Sequence, residues 1–342
     1  LLIWLISPLL SKVKKKMCDS ILRFSSISFV IRGVSKALKL KYCLQTRSSR
    51  WIERYENIFY AFLSGCAYTL LKSDWSKFGQ HMERKNSIFY VGFSFEGAAL
   101  GLGYRLRSSL KSGEFEKMYK RLSPKYRYQY YVGLGWWLHL AFKNQAFKYF
   151  EVERKLDRLY APILYDGIGF KLSIFKFGFY PHKLSKAVER LGVGSERSKV
   201  VYQGIGRSLW FLTHFRIEES IRKIQSFHYS IQQEILSGLG IAVAYSYLDN
   251  ASTPISKAEA LLDETSFVSF KQGLAFGWKA RKIQDQKLYD QAISQQGIRD
   301  EVEKLVSLVD YTEEVANNYY LWVQHTRKAI KQYKEDKSVE LS

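Results

Sequence analysis

Val201-Tyr202-Gln203-Gly204-Ile205-Gly206-Arg207-Ser208-Leu209-Trp210-Phe211 is the stretch from which the fold of this chain can be read. Its skeleton is a glycine, an apolar residue and a small residue, running into an apolar segment. The skeleton recurs as Gly92-Phe93-Ser94, Gly133-Leu134-Gly135, Gly167-Ile168-Gly169, Gly204-Ile205-Gly206, Gly238-Leu239-Gly240 and Gly273-Leu274-Ala275, with Gly65-Cys66-Ala67 as a degenerate seventh copy. The steps between the six leading glycines are 41, 34, 37, 34 and 35 residues. Self-similarity at this period marks an array of helical units. The expected fold is therefore all-α, with six or seven helical hairpins.

Each unit reads as two helices. The first is expected to start at the glycine motif, where glycine permits close backbone approach. It is apolar almost all round, as in Leu209-Trp210-Phe211-Leu212 and Ile241-Ala242-Val243-Ala244-Tyr245. A helix with that pattern is buried. The second is amphipathic: over Ile217–Glu234 the residues Ile217, Ile221, Ile224, Phe227 and Ile231 form one stripe. Pro124, Pro162, Pro181 and Pro254 fall between glycine motifs, where helices must break. Such units stack into an open solenoid or close into an α/α toroid, an inner ring of helices within an outer one. The contrast between buried first helices and amphipathic second helices points to the toroid. The array is expected to span 51–330, between a basic and apolar extension (1–50) and a polar tail (331–342). In the extension, Ser25–Val34 reads as extended. Lys111–Arg127 reads as a solvated connector. A long helix should follow Gly273 to about Lys287, and a polar helical stretch, about Ile298–Tyr333, should close the array.

A chain of 342 residues that is 46% hydrophobic can bury a large core. Its net charge of +21 suits an acidic protein, an anionic membrane surface or nucleic acid. No zinc-finger spacing or compact basic recognition motif is present, so nucleic acid is not expected. Cys18, Cys43 and Cys66 form neither a CxxC nor a Cys/His cluster, which fits a reducing, cytoplasmic setting. Leu1–Leu10 is too short and too interrupted by Pro8 to span a bilayer, which takes about 20 residues. It reads as a segment that packs on the body or touches a membrane surface.

Phe95-Glu96-Gly97-Ala98-Ala99, Gly133-Leu134-Gly135-Trp136, Asp166-Gly167-Ile168-Gly169-Phe170, Gln203-Gly204-Ile205-Gly206-Arg207-Ser208-Leu209-Trp210-Phe211, Gly238-Leu239-Gly240-Ile241-Ala242 and Gln272-Gly273-Leu274-Ala275-Phe276 follow one another in this order. Together they resemble the ordered motifs of the UnbL-type domain of unknown function, found in enediyne natural-product gene clusters and in scattered other bacteria. The likeness runs from about Trp51 to Ile330. It implies a biosynthetic setting near a polyene-making polyketide synthase, and no particular reaction. The layout also resembles that of the lanthionine-cyclase toroids, at the level of fold alone; the zinc ligands of that family have no counterpart here.

Candidate site residues are the polar ones beside the glycines. Glu96 and Asp166 are a carboxylate pair suited to general acid–base work where a pocket shifts their pKa values apart. Arg207 is an anion holder, since its guanidinium stays charged and binds carboxylate or phosphate through two hydrogen bonds. Gln203, Gln272 and Trp210 are candidate substrate contacts. A structural role competes with each assignment: Asp166 and Gln203 can cap helices, Glu96 and Arg207 can pair with each other, and Trp210 can be core. Arg105, Lys171 and Arg281 lie further along their helices. The six histidines show no metal-ligand spacing, and Gly204-Ile205-Gly206 belongs to a helical repeat and not to a dinucleotide-binding turn, so neither metal nor cofactor is expected. Two readings of function result. In the first, the protein belongs to natural-product biosynthesis of the enediyne or polyene-polyketide type and binds or transforms a hydrophobic intermediate in a central cavity. In the second, it is a non-catalytic helical-repeat adaptor that docks an acidic partner such as a carrier protein.

Overall fold

The computed structural model describes residues 49–72, 74–106, 114–174 and 180–340. The chain divides into Leu1–Arg54 and Tyr55–Ser342. Leu1–Leu10, Ser25–Val34, Cys18 and Cys43 lie outside the described residues. The elements, in order, are α1 (Ser49–Leu71), α2 (Phe78–Lys85), α3 (Val91–Arg105), α4 (Glu114–Leu122), α5 (Arg127–Phe142), α6 (Ala146–Glu153), α7 (Ile163–Leu172) and α8 (Pro181–Glu189). They continue as α9 (Ser195–Leu212), α10 (Ile217–Gln225), α11 (Tyr229–Ser246), α12 (Ser252–Leu261), α13 (Glu264–Gln284), α14 (Gln286–Gln295), α15 (Arg299–Val315) and α16 (Tyr319–Glu340). No strand occurs among the described residues, and the fold is all-α. None of these helices is long and apolar enough to cross a membrane.

From α3 to α14, odd and even helices differ as the sequence predicts. In α9 every residue from Val200 to Leu212 is buried, whereas α10 buries only Ile217, Ser220, Ile221 and Ile224. Local chemistry sets the boundaries. Asp263 caps α13 by accepting from the Ser266 N–H, and Asp285 caps α14 by accepting from Leu288. Pro181 opens α8, and Pro124 opens a 3₁₀ turn that leads into α5.

Neighbouring odd helices run parallel. A Cβ on Gly273 would meet Ser237, one on Gly277 would meet Ile241, and Arg281 donates to the Tyr245 carbonyl, so α13 and α11 rise together. The glycines explain the close approach. Two residues apart on a helix means 200°, so the two glycines of a G-x-G face opposite neighbours. The Cβ that Gly167 lacks would point at the Val132 carbonyl on α5, and the Cβ that Gly169 lacks would point at the Val201 carbonyl on α9. The same rule holds from unit to unit. The leading glycine meets the carbonyl of the residue just before the previous leading glycine: Gly133 meets Glu96, Gly204 meets Asp166, Gly238 meets Gln203 and Gly273 meets Ser237.

This register corrects several expectations. Gly97 meets the Phe62 carbonyl on α1, and the residue before it, Glu96, presents its own carbonyl to Gly133, so the first unit leads with Gly97 rather than Gly92, which meets only the side chains of Tyr245 and Gln284. The steps become 36, 34, 37, 34 and 35 residues. The motifs lie within the odd helices, not at their starts, because glycine serves here for crossing and not for capping. Ile217–Glu234 is two helices: α10 ends at Gln225, and Ile231 already belongs to α11. The stretch read as a connector, Lys111–Arg127, contains the amphipathic helix α4, with Phe115 and Tyr119 buried. The helix after Gly273 ends at Gln284, the closing stretch is two helices, and α16 runs through the expected tail to Glu340.

The end of α13 reaches back to the first units. Arg281 Nη1 donates to the Phe89 carbonyl at 2.8 Å, and Gln284 Nε2 donates to Gln129 Oε1 on α5 at 2.7 Å. The rings of Phe93 on α3 and Tyr245 on α11 meet edge to face, 5.3 Å apart.

Candidate acid–base site

Glu96, Asp166 and Arg207 come together. All three are buried, on α3, α7 and α9. Arg207 Nη1 donates to Asp166 Oδ1 in direct contact, and Arg207 Nη2 lies 3.5 Å from Glu96 Oε2. The guanidinium carbon sits 5.2 Å from the centre of the Phe170 ring. The glycine register makes the meeting: Glu96 and Asp166 each precede a leading glycine, and Arg207 follows its own by one turn.

These residues line one cavity of about 60 Å³ with Tyr128, Gln129, Ile241, Tyr245, Tyr319 and Trp322 among its other walls. Each of α3, α5, α7, α9, α11 and α13 contributes to it, and α16 adds Tyr319 and Trp322. At roughly 10–15 Å³ for each water it has room for a handful of waters. Sites that enclose a drug-sized ligand run from about 300 Å³ upward.

The electrostatics raise both carboxylates. Burial pushes Glu96 up, the Arg207 charge opposes it, and the Asp166 charge adds to it; the outcome is a pKa of about 7. Burial also pushes Asp166 up, with Arg207 pulling it back by charge and hydrogen bond. Burial pulls Arg207 down, and the two carboxylates together hold it above its ordinary value. One guanidinium between two buried carboxylates is neutral when the pair holds one proton, so the pair titrates as a unit. Glu96, 3.5 Å from the guanidinium, has the longer of the two contacts with Arg207, and it is the natural holder of that proton. A buried carboxyl that titrates near neutrality is suited to general acid–base work.

A polar chain backs the opposite wall. Tyr245 OH donates to Gln284 Oε1 at 2.8 Å, and Gln284 in turn donates to Gln129 Oε1. With its oxygen so used, Gln129 has its amide N–H groups left for the cavity it lines.

The other expected site residues lie elsewhere. Gln203 stands behind the wall: its Nε2 donates to Ser237 Oγ at 2.8 Å, and its Oε1 accepts from Tyr319 OH at 2.7 Å. Gln272 accepts from Arg327 Nε at 3.2 Å, beside the two-pronged Arg327–Glu234 pair. Trp210 is core, packed edge to face on Phe215 and Tyr247. Lys171 Nζ meets His139 Nδ1 at 2.9 Å, and Arg105 donates to the Lys72 carbonyl at the surface. Arg281 is spent on the carbonyls of Tyr245 and Phe89. Tyr245, which its apolar helix places in the core, lines the cavity, and sequence reasoning missed Gln129, Tyr319 and Trp322. The last two carried a signal, as aromatic residues in an otherwise polar stretch. Among the described residues no group of three or more His, Cys, Asp or Glu side chains is placed to hold a metal ion.

The sequence model of a family described as "Protein of unknown function (DUF1702)" matches residues 33–319. No curated protein and no solved structure matches the chain.

Proposed function

The chain belongs to the DUF1702 family, and from that premise and the site we propose that it is a biosynthetic protein of the enediyne or polyene-polyketide type that carries out a proton-transfer step on a hydrophobic intermediate. The setting rests on the resemblance of the glycine motifs described above. The chemistry rests on one observation: a buried carboxyl, Glu96, with a pKa of about 7, beside the Asp166–Arg207 pair in a cavity walled by aromatic rings. We read the array as a closed α/α toroid, a reading supported by the return of the end of α13 to Phe89, just before α3, and to Gln129 on α5, and by the cavity that α3, α5, α7, α9, α11 and α13 share.

In this reading Glu96 is the proton donor and acceptor. Arg207 keeps its charge and holds Asp166 in place, so that a proton leaving Glu96 is compensated within the triad. The N–H groups of Gln129 offer a hydrogen bond to a carbonyl oxygen of the intermediate. A space of about 60 Å³ receives only the reacting end of a long molecule, not its whole length.

The test has two arms. Mass spectrometry of solvent extracts from the purified protein is expected to find a conjugated or long-chain compound. Glu96→Gln and Asp166→Asn, shown to be helical by circular dichroism, are expected to abolish product in the producing cell. Folded variants that still support product would remove the acid–base role.

A further inference from the structure

We propose that one edge of the array, where α1, α3, α5 and α7 end, seats on an anionic lipid bilayer. Because neighbouring odd helices are parallel, their C-terminal ends lie side by side. Arg105 at the end of α3 confirms this for the first two, donating to the Lys72 carbonyl at 2.7 Å and lying 5.2 Å from the centre of the Trp75 ring. Lys171 on α7 meeting His139 on α5 shows the same for a later pair.

This edge carries Lys72, Lys77, Arg105, Lys143, Lys148 and Lys183. Asp74 is the acid among the described residues of these turns, and it accepts from the Ser76 N–H; one turn into α6, Glu151 pairs with Lys148. Lysines at helix C-termini complement the helix dipole, which is an ordinary reason to find them there. That reason does not suffice, because the later units mix their signs at the same ends. The turns after α9, α11 and α13 bring Glu218 and Glu219 beside Arg216, Asp249, and Asp285 beside Lys287. The opposite edge also mixes its signs, with Glu153 and Asp157 among Arg154, Lys155 and Arg158.

The same edge exposes apolar side chains on separate units: Leu71, Phe147 at 59% and Tyr180 at 55%. Two of them carry a lysine over the ring, Lys148 at 5.0 Å from the centre of Phe147 and Lys183 at 4.5 Å from that of Tyr180. Dispersed aromatic tips with lysines beside them suit a bilayer interface, where rings sit at headgroup level and ammonium groups meet anionic lipid. A folded acidic partner would be expected to meet a continuous patch instead. The placement also matches the chemistry: an intermediate apolar enough for the cavity partitions into lipid, and three of the helices that end at the docked edge, α3, α5 and α7, line the site.

The experiment is co-sedimentation of the full chain with vesicles of phosphatidylcholine alone or with added phosphatidylglycerol, at low and high salt. Binding is expected only with phosphatidylglycerol, and it should fall with salt. Each lysine removed should weaken partitioning about fivefold, so Lys143→Gln/Lys183→Gln together should lose roughly 25-fold. Phe147→Ser/Tyr180→Ser should also weaken binding, whereas Lys155→Gln/Arg158→Gln on the opposite edge should change it less than twofold. All are surface changes, and an unchanged melting temperature confirms folding. Equal binding to both vesicle types, equal loss from either edge, or no vesicle binding alongside salt-sensitive capture of a purified acidic carrier protein would overturn the proposal.

Discussion

Gly204→Ala should destabilise this protein out of proportion to the size of a methyl group. A Cβ on Gly204 would stand 1.9 Å from the Asp166 carbonyl oxygen, 2.7 Å from its carbon and 2.8 Å from the Phe170 nitrogen. All three are backbone atoms, so no side chain can rotate away. Ordinary contact begins at 3.4 Å, and α9 must therefore recede from α7 by about 1.5 Å (3.4 − 1.9) at the crossing. It cannot recede freely, because α11 presses on its other side, where Gly206 faces the Ile235 carbonyl. Overpacking by a methylene or more costs about 1–3 kcal/mol where side chains can adjust. Here the cost should be on the order of 3 kcal/mol or more, against which alanine recovers about 1 kcal/mol of helix propensity. At about 2–4 °C per kcal/mol for a large domain, the net effect is a melting temperature lower by roughly 5 °C. The displacement also separates Arg207 from Asp166. Thermal melts followed by circular dichroism measure it, with Gly192→Ala as the comparison: nothing lies within 4 Å of that position, and its φ of +65° alone makes the change strained. If Gly204→Ala melts at or above the wild-type temperature, the glycines are not crossing positions and the register argument fails.

Glu96 makes stability depend on pH. Its folded pKa of about 7 lies above the ordinary 4.5, so the folded chain holds a proton that the unfolded chain releases between those values, and stability should fall as pH rises through that window. At 1.36 kcal/mol per unit the loss is about 3 kcal/mol; Glu96→Gln should flatten most of it in urea titrations at pH 5 and 8, with Asp166, shifted the same way, leaving a residue of slope. An unchanged slope would place the titration elsewhere. Arg207→Gln leaves two buried carboxylates without their cation and should cost about 3–5 kcal/mol; adding Asp166→Asn should restore part of it, and no recovery would show that the pair is not what holds Arg207. Trp210→Ala should cost about 3–5 kcal/mol as a core cavity, while Trp210→Phe should leave product formation intact; loss of product from that folded variant would return Trp210 to the site.

The all-helical fold was legible because a glycine repeat is a local pattern. Its meaning was not, because a glycine that starts a helix and a glycine that crosses another helix look alike in one dimension. Gly92 and Gly97 show the difference: both precede apolar residues, and only the carbonyl of Phe62 on a neighbouring helix marks Gly97 as the unit's leader. The charged members of the site were legible for a related reason. Glu96, Asp166 and Arg207 are expensive to bury unless paired, so their presence in apolar helices already implied partners. Gln129 and Tyr245 gave no such signal, since buried amides and aromatic rings are common in helical cores.

The glycine register also explains why Gln203 and Gln272, which occupy the same position in their units as Glu96 and Asp166, miss the cavity. Counted from the leading glycine, the cavity residues of α3, α5 and α7 lie before it: Glu96, Val132 and Asp166 at one residue, Gln129 and Ile163 at four. Those of α9, α11 and α13 lie after it: Arg207, Ile241 and Phe276 at three, Tyr245 and Ala280 at seven. Steps of three and four keep all of these on one helical face, so every unit presents the same stripe, but the first three present its early half and the last three its late half. The early half of the later stripes faces a different level, where Gln203, Ser237 and Gln272 stand. Helix α16 fills that level, with Tyr319 on Gln203 and Arg327 on Gln272 and Glu234. A substitution there, such as Gln203→Leu, should therefore loosen Tyr319 and act on the site through that ring, whereas Val132→Asp, on the stripe of α5, should bring a third carboxylate to the guanidinium and raise the pKa of Glu96 further.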